Sequence, residues 1–385
     1  MPKNIKLLTF FYMTLMFLLT SCTKAQNTDT LKADENISSS LTYDYRLQLN
    51  YAEQFAVDYY DGGYALITIS DGSRFLTIPQ DMPIPKDLDK EIITIKQPIN
   101  NIYLAASAVM DMFCSLDALD TILLSGIKTE GWVIEEAKKA MESGEISYAG
   151  KYNAPDYEKI LASGCNLAIE STMIFHSPEV KEKLESFGIP VFVDYSSYEK
   201  HPLGRTEWVK LYGVLLGKED EADKAFSMQK TELDNIISEE NTGKTVAFFY
   251  ITSNETANVR KSGDYVPRMI ELAGGSYIFS DLGDNTNASS TVNMQMEEFY
   301  ANAKDADYLI YNSTIDGGVN SLDELLAKSS LLKDFKAVKE GKVFCTTKNL
   351  YQDSMKLGTF IADIHTMLTS EDSTDETFQY MFKLE

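Results

Sequence analysis

The chain has 385 residues, with 35 Lys and Arg against 58 Asp and Glu, for a formal charge of −23. A chain this acidic repels nucleic acid and anionic membrane surfaces, leaving small molecules, cations and basic protein patches as partners. Its three histidines form no HExxH or HxH pattern, which argues against a multi-histidine zinc site.

Lys3 and Lys6 precede an uncharged apolar run, Leu7 to Thr20. About 14 residues fall short of the roughly 20 that span a bilayer, so 1–21 reads as a secretory signal. The run ends in Leu19-Thr20-Ser21-Cys22, which resembles the lipobox of bacterial lipoproteins. That resemblance makes Cys22 the lipidated first residue of an exported, membrane-anchored protein facing the periplasmic or extracellular side. Removing 1–21 takes two lysines and no acid, so the charge moves from −23 to −25. Residues 22–40 are rich in Asn, Thr, Ser, Asp and Lys and read as a flexible tether. Only Cys114, Cys165 and Cys345 then remain, too few and too scattered for a disulfide framework, so buried free thiols are expected.

Residues 41–89 are β-rich, with hairpin signals at Asp61-Gly62-Gly63 and Asp71-Gly72. Strands and helices then alternate. Strands are predicted at 101–105, 121–124, 166–170 and 190–194, with helices near 107–117, 131–143, 155–163 and 178–187. This predicts βαβ units and a mainly parallel sheet in an N-terminal lobe, 90–204. From 205 to 241 the pattern is helical, with Gly217 ending a first piece and 22 residues free of Gly and Pro following. A second α/β pattern fills 242–385, with strands at 244–251, 307–312 and 342–346, helices near 265–273, 295–304, 321–328 and 331–339, and a closing helix at 354–369. The expected fold class is therefore α/β: two Rossmann-like lobes with mainly parallel sheets, joined by a long rigid helix, plus the β-rich N-terminal segment.

Ligands of open parallel sheets gather beyond the carboxyl ends of the strands. Those positions carry Ser125, Lys128, Trp132, Met173, His176, Tyr195 and Arg205 in the first half, and Arg260, Tyr265, Ser313, Lys348, Tyr351 and Gln352 in the second. Aromatics, hydroxyls and a few cations suit a large, partly anionic ligand. Arg205 falls in a first helical turn, where a cation opposes the helix dipole; this favours a tertiary or ligand role. His201 precedes Pro202, is expected to be extended, and reads as a structural hydrogen bonder. The candidate ligand contacts are Trp132, Met173, Tyr195, Arg205, Arg260, Tyr265 and Tyr351. No catalytic set is apparent: a G-x-S-x-G elbow, a Walker lysine and EF-hand spacing are all missing. Neither a cofactor nor a protein-held metal is expected.

Three segments together resemble the class III solute-binding lipoproteins of ABC importers, the iron-complex and cobalamin-type periplasmic binding proteins. "HPLGRTEWVKLYGVLLGKEDEA" resembles that family's passage into its inter-lobe helix, "SGDYVPRMIELAGGSYIF" its second-lobe motif, and "YAGKYNAPDYEKILASGCNLAIE" its first-lobe segment. The resemblance spans roughly 90–370 and leaves 41–89 outside. It implies a monomer that holds a small molecule between two lobes and docks on an ABC permease through one glutamate per lobe. At the matching positions stand Glu158 and Glu271; "SGCN" departs from the family's usual "LKPD" after the first. The implied ligand is an iron complex, siderophore or haem, with a corrinoid as the alternative. A glycan-acting surface enzyme and an adhesin built on 41–89 are the readings from other classes.

Overall fold

The computed structural model describes residues 31–235, 241–283, 290–316, 318–370 and 378–385. Cys22, the signal segment 1–21 and the start of the tether lie outside them. Among the described residues no helix is long and apolar enough to cross a membrane.

The first sheet comprises β1 (Tyr43–Arg46), β2 (Phe55–Tyr60), β3 (Tyr64–Ile69), β4 (Arg74–Ile78) and β5 (Ile92–Lys96), in that order. β1 to β4 form an antiparallel meander and β5 adds parallel to β4, so the sheet runs past residue 89. The β2–β3 turn uses Gly62 and Gly63 at φ 78° and 81°, the left-handed region that a side chain disfavours. Residues 34–40 belong to this unit, which corrects the tether assignment at its end. Ile37 is buried against Tyr60, Tyr64, Leu66 and Leu76, and Ser38 and Ser39 bond Asp87. A single large apolar residue is enough here because the sheet offers an apolar outer face.

The second sheet, order β12-β11-β6-β7-β8, is wholly parallel: β6 (Ile102–Leu104), β7 (Ile122–Ser125), β8 (Ser147–Tyr148), β11 (Leu167–Ser171) and β12 (Val191–Asp194). A small ribbon, β9 (Gly150–Lys151) and β10 (Ala154–Pro155), stands beside it. Helices α1 (Val109–Ser115), α2 (Glu135–Ser143), α3 (Tyr157–Ala162) and α4 (Pro178–Ser186) connect the strands. The third sheet contains β13 (Thr245–Ile251), β14 (Ala257–Arg260), β15 (Ser276–Tyr277), β16 (Thr291–Met294), β17 (Tyr308–Tyr311), β18 (Val343–Thr346) and β19 (Met381–Lys383). Its centre, β13-β17-β18 with β15, is parallel, whereas β14, β16 and β19 add antiparallel at the flanks. Helices α7 (Tyr265–Leu272), α8 (Met296–Ala303), α9 (Ser313–Asp316), α10 (Leu322–Lys328), α11 (Lys336–Lys339) and α12 (Leu357–Thr369) complete this lobe.

The link consists of two helices, α5 (Pro202–Leu216) and α6 (Glu219–Asp234), the second of them the long one expected between the lobes. Gly217 breaks them apart in a left-handed conformation, φ 68°. The second helix has 16 described residues, about 24 Å at 1.5 Å per residue; the last five positions of its Gly- and Pro-free run lie outside the described residues. The two pack closely, since a Cβ on Gly213 would lie 2.6 Å from the Ala222 Cβ. α12 rests on both and on α7, so the lobes share one helical layer.

Two buried acids fasten the first sheet to this frame. Glu207, in α5, accepts the backbone N–H groups of Asn50, Tyr51 and Ala52 at 2.8–3.0 Å and pairs with Lys210 at 3.2 Å. Glu199, just before α5, accepts those of Glu53 and Gln54 and the Trp208 indole at 2.8–2.9 Å. Five consecutive backbone donors, 50–54, thus end on two carboxylates. Phe55 against Trp208 (5.0 Å between centroids) and Phe75 against Phe192 (5.0 Å) fill the apolar seam. Leaving such buried donors unpaired is costly, so Glu207→Ala should lower unfolding stability by about 3–5 kcal/mol in urea titration. A loss under about 1 kcal/mol, the scale of a surface pair, would refute that role.

Candidate ligand-binding site

Four of the seven candidate contacts converge where α5 meets the second lobe. Arg205 is buried and stacks on Tyr265, with its guanidinium carbon 4.1 Å from the ring centroid. Its Nε is fully buried and finds no hydrogen-bond acceptor among the described residues. Arg260 leans on the Tyr351 ring at 5.5 Å, donates to the Tyr351 hydroxyl, and sits 3.5 Å from Asp264. Burial opposes the charge on Arg260, but the neighbouring Tyr351 and Asp264 outweigh it and its pKa rises. Asn312, directly after β17, donates a second hydrogen bond to the Tyr351 oxygen at 3.0 Å. Burial pushes the Tyr265 phenol up as well, although Arg205 works against the shift. Two guanidiniums and two phenols thus lie together as a cationic cluster in an acidic chain, and one guanidinium lacks a bonded partner at Nε among the described residues.

A second group stands on the first lobe beyond β11 and β12. Met173 and Phe175 are exposed, on the turn after β11. Phe175 lies 6.0 Å from the half-buried Tyr195, which in turn lies 5.5 Å from the exposed Tyr198. Together they form an apolar-aromatic wall. Phe175 and Tyr198 escaped the sequence reading although they follow strands as Met173 does; Asn312 escaped it because it closes a strand.

Trp132 requires correction. It is 1% exposed, and its indole N–H donates to Ser125 at 3.2 Å inside the first lobe. It therefore offers no surface to a ligand; a tryptophan after a strand can fill the core as readily as line a mouth. His201 caps α5, its Nδ1 accepting the Leu203 N–H at 3.1 Å while Tyr51 stacks on its ring. Burial lowers its pKa to about 4. Glu158, on α3, and Glu271, on α7, are exposed on different lobes, and Glu271 pairs with Arg268 at 2.8 Å.

Residues 351–356 seal the two lobes together. The Gln352 amide donates to the Gly131 carbonyl and accepts the Val133 N–H, both at 2.8 Å. Ser354 donates to the Ala108 carbonyl (2.6 Å) and accepts from Thr206 (3.2 Å), and the Met355 N–H donates to Asp111 at 2.8 Å. Burial raises the Asp111 carboxyl to about 6. Tyr351 of the arginine–tyrosine cluster therefore heads the same short segment that joins the lobes. A separate concave patch lined by Asp117, Asp120 and Glu145 lies at the amino end of β7, away from these groups. Among the described residues no three His, Cys, Asp or Glu side chains are placed to hold a metal ion, and Cys114 and Cys165 are free thiols.

Comparison with known proteins places this arrangement. A family described as "Periplasmic binding protein" matches residues 108–350, well over half of the chain. An uncharacterized lipoprotein of Methanocaldococcus jannaschii is 27% identical over 365 residues, covering 88% of this chain and 84% of the relative. Among solved structures, the periplasmic haem-binding protein HutB of Vibrio cholerae aligns with a TM-score of 0.57 at 17% identity, over 70% of this chain and 99% of that one. An ABC-type Fe3+-hydroxamate transport protein of Saccharomonospora viridis aligns with a TM-score of 0.55 at 16% identity, over 71% of this chain and 94% of that one.

One buried group near the wall carries a pH consequence. Glu170, next to last in β11, is fully buried with neither carboxylate oxygen partnered among the described residues, and burial raises its pKa to about 8. The folded state then holds a proton that the unfolded chain releases near pH 4.3, so stability falls as pH rises from there towards 8. Glu170→Gln should match the wild type near pH 4 and exceed it in melting temperature at pH 8. Parallel melting curves across that range would show the expected effect absent.

Proposed function

Since the chain belongs to the periplasmic binding protein family, we propose that it captures an anionic ferric complex, siderophore or haem, between its lobes and hands it to an ABC permease. The buried arginine, Arg205, carries this reading: it is stacked on Tyr265 with Nε unpartnered and stands beside the Arg260–Tyr351 pair. A guanidinium so placed can meet a carboxylate, hydroxamate or other anionic group of the chelate with charge-assisted bonds. Tyr351, whose oxygen already accepts from a cation and an amide, adds a hard oxygen donor of the kind that holds ferric iron. The Met173–Phe175–Tyr195–Tyr198 wall suits a flat or aromatic ligand face. Because no cluster of three His, Cys, Asp or Glu side chains is placed for a bare ion among the described residues, the metal would arrive inside its own chelate. Titrating the purified chain with haemin, a ferric hydroxamate and cyanocobalamin should give submicromolar binding to a ferric complex. A preference for cyanocobalamin would shift the assignment to corrinoids, and silence from all three would sink it.

Arg205→Ala should weaken the bound ferric complex about 10- to 100-fold, the cost of losing charge-assisted hydrogen bonds, with the circular dichroism spectrum unchanged. Delivery needs a second surface. Exposed Glu158 and Glu271, one per lobe, would pair with basic side chains of the permease and align the two-lobed receptor on it. The lipid on Cys22 would keep receptor and permease on one membrane. Glu158→Arg and Glu271→Arg should each abolish most uptake in cells while leaving the ligand Kd of the purified protein unchanged; loss of affinity would refute the docking assignment.

A further inference from the structure

The first sheet lies wholly outside the family-matched segment 108–350, yet its β3–β4 turn reaches the aromatic wall. Asp71, in that turn, accepts the Ser73 N–H on Oδ1 at 2.8 Å and the Tyr195 hydroxyl on Oδ2 at 3.2 Å. Just before it, the Ser70 N–H donates to the Gln54 carbonyl at 2.9 Å and the Ser70 hydroxyl to Gln54 Oε1 at 2.7 Å. The Gln54 N–H donates to Glu199 at 2.9 Å. Glu199 closes the short turn Ser196–Tyr198 that Tyr195 opens, and backbone bonds of 3.2 and 2.8 Å run from Glu199 to Ser196 and from Tyr198 to Tyr195. The path Tyr195, Asp71, Ser70, Gln54, Glu199 and back through the turn is a closed ring of contacts. Phe75, at the base of the hairpin, pins β4 to Phe192 of β12.

We propose that the first sheet is part of the recognition apparatus, and that Asp71 is a positioning residue that presets the Phe175–Tyr195–Tyr198 wall by holding the Tyr195 hydroxyl. The inference rests on the ligand reading of that wall. An aromatic side chain free to swing loses rotamer freedom when a ligand orders it; one already held has less to lose, and affinity gains by the difference. The sheet is anchored for this task, because Glu207 of α5 and Glu199 just before it hold the loop that leads into β2.

A fluorotyrosine placed at residue 195 gives a signal that needs no ligand. Asp71→Ala should shift or broaden its fluorine NMR resonance and raise the Kd of the bound ferric complex about fivefold, the worth of one hydrogen bond, with the melting temperature unchanged. Asp71→Asn keeps an oxygen acceptor and should restore both. In a Tyr195→Phe background, Asp71→Ala should add nothing further. An unmoved resonance overturns the inference whatever the wild type binds. So does an equal weakening by Asp71→Ala and Asp71→Asn accompanied by a common fall in melting temperature. A wild type that binds none of the three probes while its resonance still answers to Asp71→Ala overturns the ligand reading instead, and leaves the brace standing.

Discussion

Five backbone N–H groups in a row have no strand or helix partner, and the architecture depends on where they go. Residues 50–54 lead into β2, and their amides end on Glu199 and Glu207. Buried carboxylates are expensive to bring out of water. Here the donors converge from one short loop, so each charge finds several hydrogen bonds at once and the loop loses none of its own. The two acids flank the start of α5, the helix that also carries Arg205 onto Tyr265. One segment, 199–210, therefore fixes the extra sheet, starts the link between the lobes and places the arginine of the candidate site. Its acids and histidine are structural, since His201 caps the helix and burial favours its neutral form.

Much of this was legible in the sequence because periodicity and turn residues state it locally. The alternation of short apolar strands with amphipathic helices located the central strands of both lobes within a residue or two. Gly217, the first left-handed residue after a long helical run, marked the break in the link. The antiparallel additions were not legible. β14 reads Ala-Asn-Val-Arg, a sequence that becomes a strand only because β13 and β16 pair with it. Likewise, nothing local marks Glu199 and Glu207, whose partners lie some 150 positions away in sequence.

The site was legible in part, for a related reason. Position after a strand placed Arg205, Tyr265, Arg260 and Tyr351 near the edge where ligands gather, and the structure brings those four together. The same rule misplaced Trp132, since an aromatic ring at that point can turn inward when a serine satisfies its N–H. Asp71 has no signature at all: as the first residue of an Asp-Gly turn it looks like turn chemistry, and its second oxygen matters only through a tyrosine far along the chain.

The segment 351–356 joins two roles that the fold could have kept apart. Tyr351 accepts from Arg260 and Asn312 in the candidate site, while the next residues bind one lobe to the other through Gln352, Ser354 and Met355. Free energies of linked equilibria are reciprocal. If occupancy at Tyr351 steadies the seam by some factor, then any force that parts Gln352 from Gly131 must loosen the occupant by that same factor. Under that condition a receptor would need no separate release trigger: prying the lobes apart would itself be the act of letting go.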